Sequence, residues 1–411
     1  MRGGDLDAIA ISHCHYDHVG SLPVAMRCAP RAHVLMSELS YFLVERVLHH
    51  CVNVMKRQRD KLGLQEDLPY THENVDALTP RFQGFKYNRE IEWAANHNKH
   101  QGSPSPTLEF YDAGHTLGSA GMAVRGQRET LFYTGDVCFH DQTILKGARF
   151  EDVAADVLIM ETTRGNRELR PGFKRQREIA RLRRAIQRGL ENRSAILIPA
   201  FALGRTQEIL ALLVSMMEDG DIGRRRVFVG GLGRVFTEIY DLEAHRTHRE
   251  YPSLQLHEAL DLVVLEPKQI ERVGLTGGGV FVLTAGMMSE GSASHDLAAR
   301  MIGEKAQAIF FVGYADPETP GGRLRAAKHG ETFHFSSAAG EMRRLCHIEE
   351  FDLTAHANRE EMLAFVGEVE PRAVLLTHGE PDSQQWFADQ ISARYPRMQI
   401  LRPGPGDAVE V

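Results

Sequence analysis

The sequence predicts an α/β protein built as two domains, or as one domain carrying a large insertion. Three observations predict it. Short apolar runs alternate with amphipathic stretches along most of the chain. The 411 residues exceed the size at which one hydrophobic core usually stops growing. Nearly every polar residue able to do chemistry stands at the end of an apolar run, where open α/β sheets place their ligand sites.

Taken in order, the runs at residues 6–12 (LDAIAIS), 130–136 (TLFYTGD), 156–162 (DVLIMET) and 194–200 (SAILIPA) read as buried strands. So do 225–231 (RRVFVGG), 278–286 (GGVFVLTAG), 307–313 (QAIFFVG) and 372–379 (RAVLLTHG). Helical patterns lie between them, at 178–190 (EIARLRRAIQRGL) and 206–219 (TQEILALLVSMMED). Two regions break the rhythm. Val47 to Pro106 is polar, loop-rich and helical in parts, and Arg167 to Arg193 is strongly basic. The stretch 164–178 (RGNRELRPGFKRQRE) is the best boundary between a first domain and an inserted one. Its arginines read first as the solvated face of a helix whose apolar stripe is Ile179, Leu182, Ile186 and Leu190, and second as an RNA-contacting face.

Composition removes several classes. Hydrophobic residues at 43% and charged residues at 25% are the balance of a globular chain rather than of a disordered or membrane protein. No apolar run approaches the roughly 20 residues that span a bilayer. The opening MRGGDLDAIAIS has neither a basic n-region nor a long h-region, so a cytoplasmic location is expected. The five cysteines are scattered without a CxxC pair, which points away from both a disulfide framework and a thiolate zinc site. A net charge of −7 argues against an overall positive coat for nucleic acid, although a basic groove can coexist with an acidic remainder.

The densest chemistry follows the first strand. Ser12-His13-Cys14-His15-Tyr16-Asp17-His18 packs three imidazoles and a carboxylate into six residues, His13 to His18. In an extended segment His13 and His15 point the same way, while Asp17 and His18 lie on the turn beyond, so one loop can address two metal ions. Further ligands stand at strand ends: His115 in AGHTLGSAG, Asp136 in FYTGD and His378 in LLTHGE. Asp136 is the natural bridging carboxylate. It would hold two ions roughly 3.5–4 Å apart, the spacing at which one activates water and both stabilise a pentavalent phosphorane.

These segments resemble the successive metal motifs of the metallo-β-lactamase superfamily. Glu161 to Arg167 (ETTRGNR), the LTAHANRE segment around His356, IPAFALGRTQE at 198–208 and VGYADPETPGGRL at 312–324 narrow the likeness to the β-CASP nucleases. Among these, the cleavage-factor-like enzymes of mRNA 3′-end processing are the nearest in kind. The resemblance runs from about Asp7 to the C-terminus. It implies a metallo-β-lactamase αββα sandwich at 1–166 and 349–411, a Rossmann-like β-CASP domain inserted at 167–348, and a metal site in the cleft between them. The family begins with further strands that this chain does not show before its first motif, so the sandwich is expected to be incomplete at its N-terminus. Two zinc ions per chain are implied, with His13, His15 and His115 on one, Asp17, His18 and His378 on the other, and Asp136 bridging. His356 is implied as the acid protonating the leaving 3′-oxygen. Glu161, on accepting a hydrogen bond from it, would raise its pKa and fix its tautomer, and Asp17 is counted with them as catalytic. A histidine at the last motif marks the RNA-cleaving members, so the partner implied by His378 is single-stranded RNA, cut to 5′-phosphate and 3′-hydroxyl ends. No membrane partner is expected, and a homodimer is, because dimers are common among such proteins.

The glycine-bearing loops of the insert could offer backbone N–H groups and guanidinium groups to phosphate, at Gly204, Arg205, Ser292, Gly322 and Arg323, or could be tight turns. Arg164 stands where the family usually has tyrosine, and Asn358 where it usually has aspartate. Two rival readings stay open. One is a metallo-β-lactamase-fold hydrolase of a small ester or phosphodiester, which would need neither the insert nor the Glu161 and His356 pair. The other is a non-catalytic scaffold of an RNA-processing assembly, which would be expected to lose ligands that this chain keeps.

Overall fold

The protein is described from a computed structural model that covers residues 6–92 and 106–411. The chain divides into two compact units. The first comprises the described residues of Met1–Asp141, Lys146–Leu169 and Ala355–Val411; the second comprises Gln142–Leu145 and Arg170–Thr354.

The first unit holds a seven-stranded and a three-stranded sheet. The larger runs in the order Gln399–Leu401, Ala373–Thr377, Val157–Glu161, Thr130–Tyr133, Ala120–Arg125, Thr107–Asp112, Ile91–Glu92. Its first four strands are parallel and the rest antiparallel. Strands such as Val157–Glu161 are near-continuous apolar runs because both faces are covered. One core gathers Phe132, Leu158, Met160, Val374 and Leu376 from the sheet with Met362, Leu363, Phe365, Phe387 and Ile391 from two covering helices. Phe132 sits edge-on to Phe150 at 5.0 Å between ring centroids, the T-shaped geometry aromatic rings prefer.

The three-stranded sheet is parallel, in the order Ala8–Ala10, His33–Ser37, Phe82–Phe85. Its Leu35 shares an apolar cluster with Leu108, Phe110, Ala120 and Met122 of the large sheet. This packing sets the metal loop that follows the first strand opposite the loops of the larger sheet.

The region from Val47, expected to be polar, loop-rich and helical in parts, opens inside a single helix that runs Glu38–Leu62, because its buried stripe of Leu39, Leu43, Val44, Val47, Leu48, Cys51 and Val52 carries helical spacing beyond Val47. Ser37 caps its start by accepting from Ser40 N at 3.1 Å, and Gly63 ends it at φ 64°. Residues 93–105 of that region lie outside the described residues.

The second unit is built on a six-stranded parallel sheet in the order Asp261–Leu265, Arg226–Gly230, Gly279–Leu283, Ala195–Pro199, Ala308–Phe311, His347–Glu350, with a small antiparallel pair of Thr332–Ser336 and Gly340–Arg343 beside it in the chain. Helical crossovers such as Arg205–Glu218 link its strands, which is the Rossmann-like pattern. All eight apolar runs read as strands are strands, across both units. The Arg175–Glu191 helix buries Leu182 and Ile186, and its arginines face acids: Arg181 lies 2.7 Å from Glu178, Arg188 lies 3.0 Å from Glu349, and Arg183 pairs with Asp219 and Asp221. These pairings favour a solvated, charge-balanced face. Where this unit turns most polar inside, Glu208 is fully buried and accepts from Arg175 at 2.6 Å, Thr143 N at 2.9 Å and Ile144 N at 3.1 Å. Both arginines, Arg175 and Arg205, hold its carboxyl below the usual range against the opposing effect of burial.

Candidate metal centre

All seven predicted ligands come together within the first unit, at the C-terminal ends of its strands. Their donor atoms fall in two groups: His13, His15, His115 and Asp136, and Asp17, His18 and His378, with the atoms of each group within 4.8 Å of one another. His15 Nδ1 is 3.1 Å from His13 Nε2 and 3.2 Å from His115 Nε2. His378 Nε2 is 3.2 Å from both His18 Nε2 and Asp17 Oδ2. Asp136 Oδ2 stands 3.6 Å from His13 Nε2, 3.7 Å from His115 Nε2 and 3.5 Å from His18 Nε2, so a single carboxylate faces both groups.

Local backbone builds this convergence. Ser119 Oγ accepts from both His115 N and Thr116 N, closing the turn of the GHTLGS segment. The carbonyl of Gly118 receives the hydroxyls of Ser37 and Ser40. Gly118 sits at φ +80°, and a Cβ there would come 2.5 Å from Ser40 N, so glycine is required. Gly135, just before Asp136, is at φ +55° with Ala120 O only 2.8 Å from where a Cβ would be. His378 adopts a positive φ of 48° and is braced by Thr163 Oγ1 at 3.1 Å from its Nδ1.

The donor chemistry fits divalent metal. Ala355 O can only accept, so at 2.9 Å it receives the proton of His115 Nδ1 and turns the Nε2 lone pair toward His15 and Asp136. Burial, reinforced by neighbouring imidazoles, pushes the pKa values of His13 and His115 well below the histidine norm, so both rings are neutral donors. Asp136 is buried, and His13 with its fellow histidines keeps the carboxyl ionised despite that burial. Its Oδ1 accepts no hydrogen bond among the described residues, although it stands 3.3 Å from His378 Nδ1, and an atom so placed is free to face a cation. Asp17 is held down to about 2, where the hydrogen bond from His378 overcomes burial, and His378 is raised to about 9 against its own burial by the same contact and by Asp136.

Beside the first group, His356 Nδ1 is 3.1 Å from each oxygen of Glu161. Glu161 Oε1 also accepts from Val137 N at 2.8 Å, and Ala357 N donates to Val137 O at 2.6 Å. The backbone on either side of His356 is thereby tied to the residue after Asp136 and, through Ala355 O, to His115. Asn358, standing where aspartate is usual, caps the Arg359–Val369 helix by accepting from Glu360 N and Glu361 N, so the polar substitute keeps a capping role. Arg164, standing where tyrosine is usual, is buried, and its charge acts on Glu361. Sequence reading missed the orienting groups Ala355 O, Val137 N and Ser119 Oγ. The first two are backbone atoms and leave no residue signature.

The five phosphate candidates of the second unit already have structural duties. Gly204 N donates to Gln207 Oε1 at 2.8 Å, and Arg205 is buried, bonding Leu353 O and the Gln142 side chain. Ser292 caps the Ala293–Met301 helix, and Gly322 N donates to Thr319 Oγ1 at 3.2 Å. Arg323 spends its guanidinium on Phe335 O and Glu318 O, at 3.1 and 2.7 Å.

Comparison with known proteins follows the same lines. The Beta-Casp domain family matches residues 206–324, and the Zn-dependent metallo-hydrolase RNA specificity domain matches residues 341–401. The chain is 28% identical over 388 residues to the Probable RNase MJ4 of Methanocaldococcus jannaschii, covering 92% of this chain and 82% of that protein. It is 26% identical over 414 residues to the RNase aCSPSF2 of Saccharolobus solfataricus, covering 99% of this chain and 76% of that protein. A crystal structure of a protein of unknown function from Enterococcus faecalis V583 superposes with a TM-score of 0.52 at 14% identity, over 97% of this chain and 80% of that one, which speaks for the fold. Motifs, fold, matched domains and relatives agree in supporting a metal-dependent hydrolase of the β-CASP type with the metallo-β-lactamase fold.

Proposed function

We propose that the protein hydrolyses phosphodiester bonds of single-stranded RNA with two zinc ions, leaving 5′-phosphate and 3′-hydroxyl ends. The observation that carries this reading is the pairing of His356 with Glu161 beside a site built from seven metal-type ligands. A hydrolase of small esters has no need of an oriented acid there, and a scaffold has no need of either. The RNA specificity domain matched at 341–401 and the ribonuclease names of the relatives support RNA as the substrate. We assign residues 1–166 and 349–411 to the hydrolase domain and 167–348 to the β-CASP domain.

His13, His15 and His115 would hold one ion, Asp17, His18 and His378 the other, and Asp136 both. Bound there, the ions supply Lewis acidity to the phosphate and a nucleophile from water at neutral pH. The chain's own residues do the rest. Glu161 receives the Nδ1 proton of His356, which directs Nε2 outward. Burial lowers the pKa of His356, but the charge and hydrogen bond of Glu161 more than offset it, so the imidazole is protonated further into the neutral range than a free one. It can then give its proton to the departing 3′-oxygen. His115, held by Ala355 O, stays neutral and cannot compete as the acid.

The test is zinc content together with cleavage of 5′-labelled single-stranded RNA by wild type and His356→Ala, with the matching DNA strand as control. Near two core zinc ions, RNA cut to 3′-hydroxyl ends, and loss of cutting without loss of metal in the mutant are expected. Cleavage unaffected by the substitution would sink the acid assignment, and a wild type that binds metal without cutting RNA would sink the nuclease.

A further inference from the structure

A second cluster of metal-type donors lies away from the centre just described, between the helices Glu38–Leu62 and His72–Leu78. Each helix contributes an acid and a histidine four residues apart, Glu45 with His49 and His72 with Asp76, and four-residue spacing puts each pair on one helix face. Across the gap His49 Nε2 is 3.7 Å from Glu45 Oε1 and 3.1 Å from Asp76 Oδ1. The three donors lie within 4.8 Å of one another. On the other side of the ring, His49 Nδ1 is 2.8 Å from His72 Nδ1, and the two rings stack at 5.1 Å.

Between two imidazole nitrogens at 2.8 Å only one can carry the proton; with His49 Nδ1 as the donor, its Nε2 presents a lone pair. Nε2 is left aimed between two carboxylates, which are negative and open to solvent. Only a proton or a cation satisfies that position. One imidazole, two carboxylates and room for water is a donor set for a first-row divalent ion, and a ligating histidine hydrogen-bonded through its other nitrogen is the usual arrangement around such ions.

We infer that Glu45, His49 and Asp76 form a third, peripheral divalent-cation site, with His72 as the positioning residue. An ion there clamps the two helices across the 63–71 connection. That connection delivers Tyr70, whose hydroxyl donates to Gly20 O at 2.8 Å, directly after the short helix Tyr16–Val19 that carries Asp17 and His18. Tyr16 in turn meets His50 of the long helix at 5.9 Å between ring centroids. The peripheral ion therefore braces the support of the metal loop without touching it.

The experiment is equilibrium dialysis against zinc at neutral pH, counting ions per chain for wild type, His49→Gln and Asp76→Asn. Each variant is expected to hold one zinc fewer than wild type, with its far-UV circular dichroism unchanged. Glu45→Gln, an exposed change, is expected to weaken the last ion at least tenfold and guards against a folding defect in the others. His72→Gln is expected to keep the ion with about 10-fold to 100-fold weaker affinity. Zinc should also slow proteolysis within residues 63–71 in wild type but not in His49→Gln. Equal zinc counts in wild type, His49→Gln and Asp76→Asn would overturn the site and leave the cluster as a hydrogen-bonded contact between the helices. Affinity unaltered by His72→Gln would overturn the positioning role. Because ions are counted by difference and RNA is absent, the result stands whether or not the protein proves to be a nuclease.

Discussion

Glu161 offers both of its carboxylate oxygens to the Nδ1 of His356, at 3.1 Å each, from a position that is almost wholly buried. The strand Val157–Glu161 ends at this residue, and the neighbouring strand Ala373–Thr377 ends beside it, just before His378. Sheet register thus places Glu161, the proposed acid's partner, and His378, a proposed metal ligand, side by side.

Removing the acid is the plainest consequence. His356→Ala should lower RNA cleavage by about 10²- to 10⁴-fold, the usual worth of a positioned proton donor. Zinc content and thermal stability should stay near wild type, since the imidazole is outside the two groups assigned to the ions and shares with them only Asp136, in a further donor group with Glu161; a lost zinc would make His356 a ligand instead.

Glu161→Gln tests positioning. Glu161 raises the His356 pKa, and the acid works in its protonated form, so activity is retained below that pKa and lost as pH rises through it. With a neutral partner the alkaline limb of the pH–rate profile should move to lower pH, and kcat at pH 7 should fall by about 10-fold or more. An alkaline limb left where it was would remove Glu161 from the argument.

Metal removal should destabilise the fold. Without ions the site brings five imidazoles and two carboxylates together, including an Asp136 Oδ1 that accepts no hydrogen bond among the described residues. Chelation should lower Tm by about 5 °C or more, as expected for loss of a ligand held far above its Kd. Asp136→Asn should lower the zinc count and abolish cleavage together.

Glu208 governs the second unit. Its carboxyl pKa is depressed, so its contribution is full above the ordinary glutamate range and fades as pH falls through the lowered folded value. Glu208→Ala, which leaves Arg175 and Arg205 buried without their carboxylate, should cost about 3–5 kcal/mol in urea unfolding. A loss below 1 kcal/mol would mean that the network contributes little.

The basic helix should prove neutral toward RNA. Arg188→Ala removes a guanidinium already set against Glu349, and it should leave RNA affinity within about twofold and the salt dependence unchanged. A shallower salt slope would return this face to the RNA-binding surface.

The alternation of apolar runs determined the α/β class by itself, because a strand covered on both faces must be continuously apolar whatever its neighbours are. The spacing of His13, His15, Asp17 and His18 determined a metal loop for a similar reason, since residues that close in sequence cannot be far apart in space. Asp136, His115 and His378 could be read only as strand-end residues, and His356 only from the motif around it. Strand order decided that they meet, for Ala373–Thr377 pairs with Val157–Glu161 across more than two hundred residues of intervening chain. Tertiary structure alone decided the tautomer of His115, through a carbonyl 240 residues away, and the internal engagement of Arg205 and Arg323, whose sequence context resembles a phosphate loop. It alone also set His49 against His72 and Asp76, because a helix hides the reach of its side chains until a second helix is packed against it.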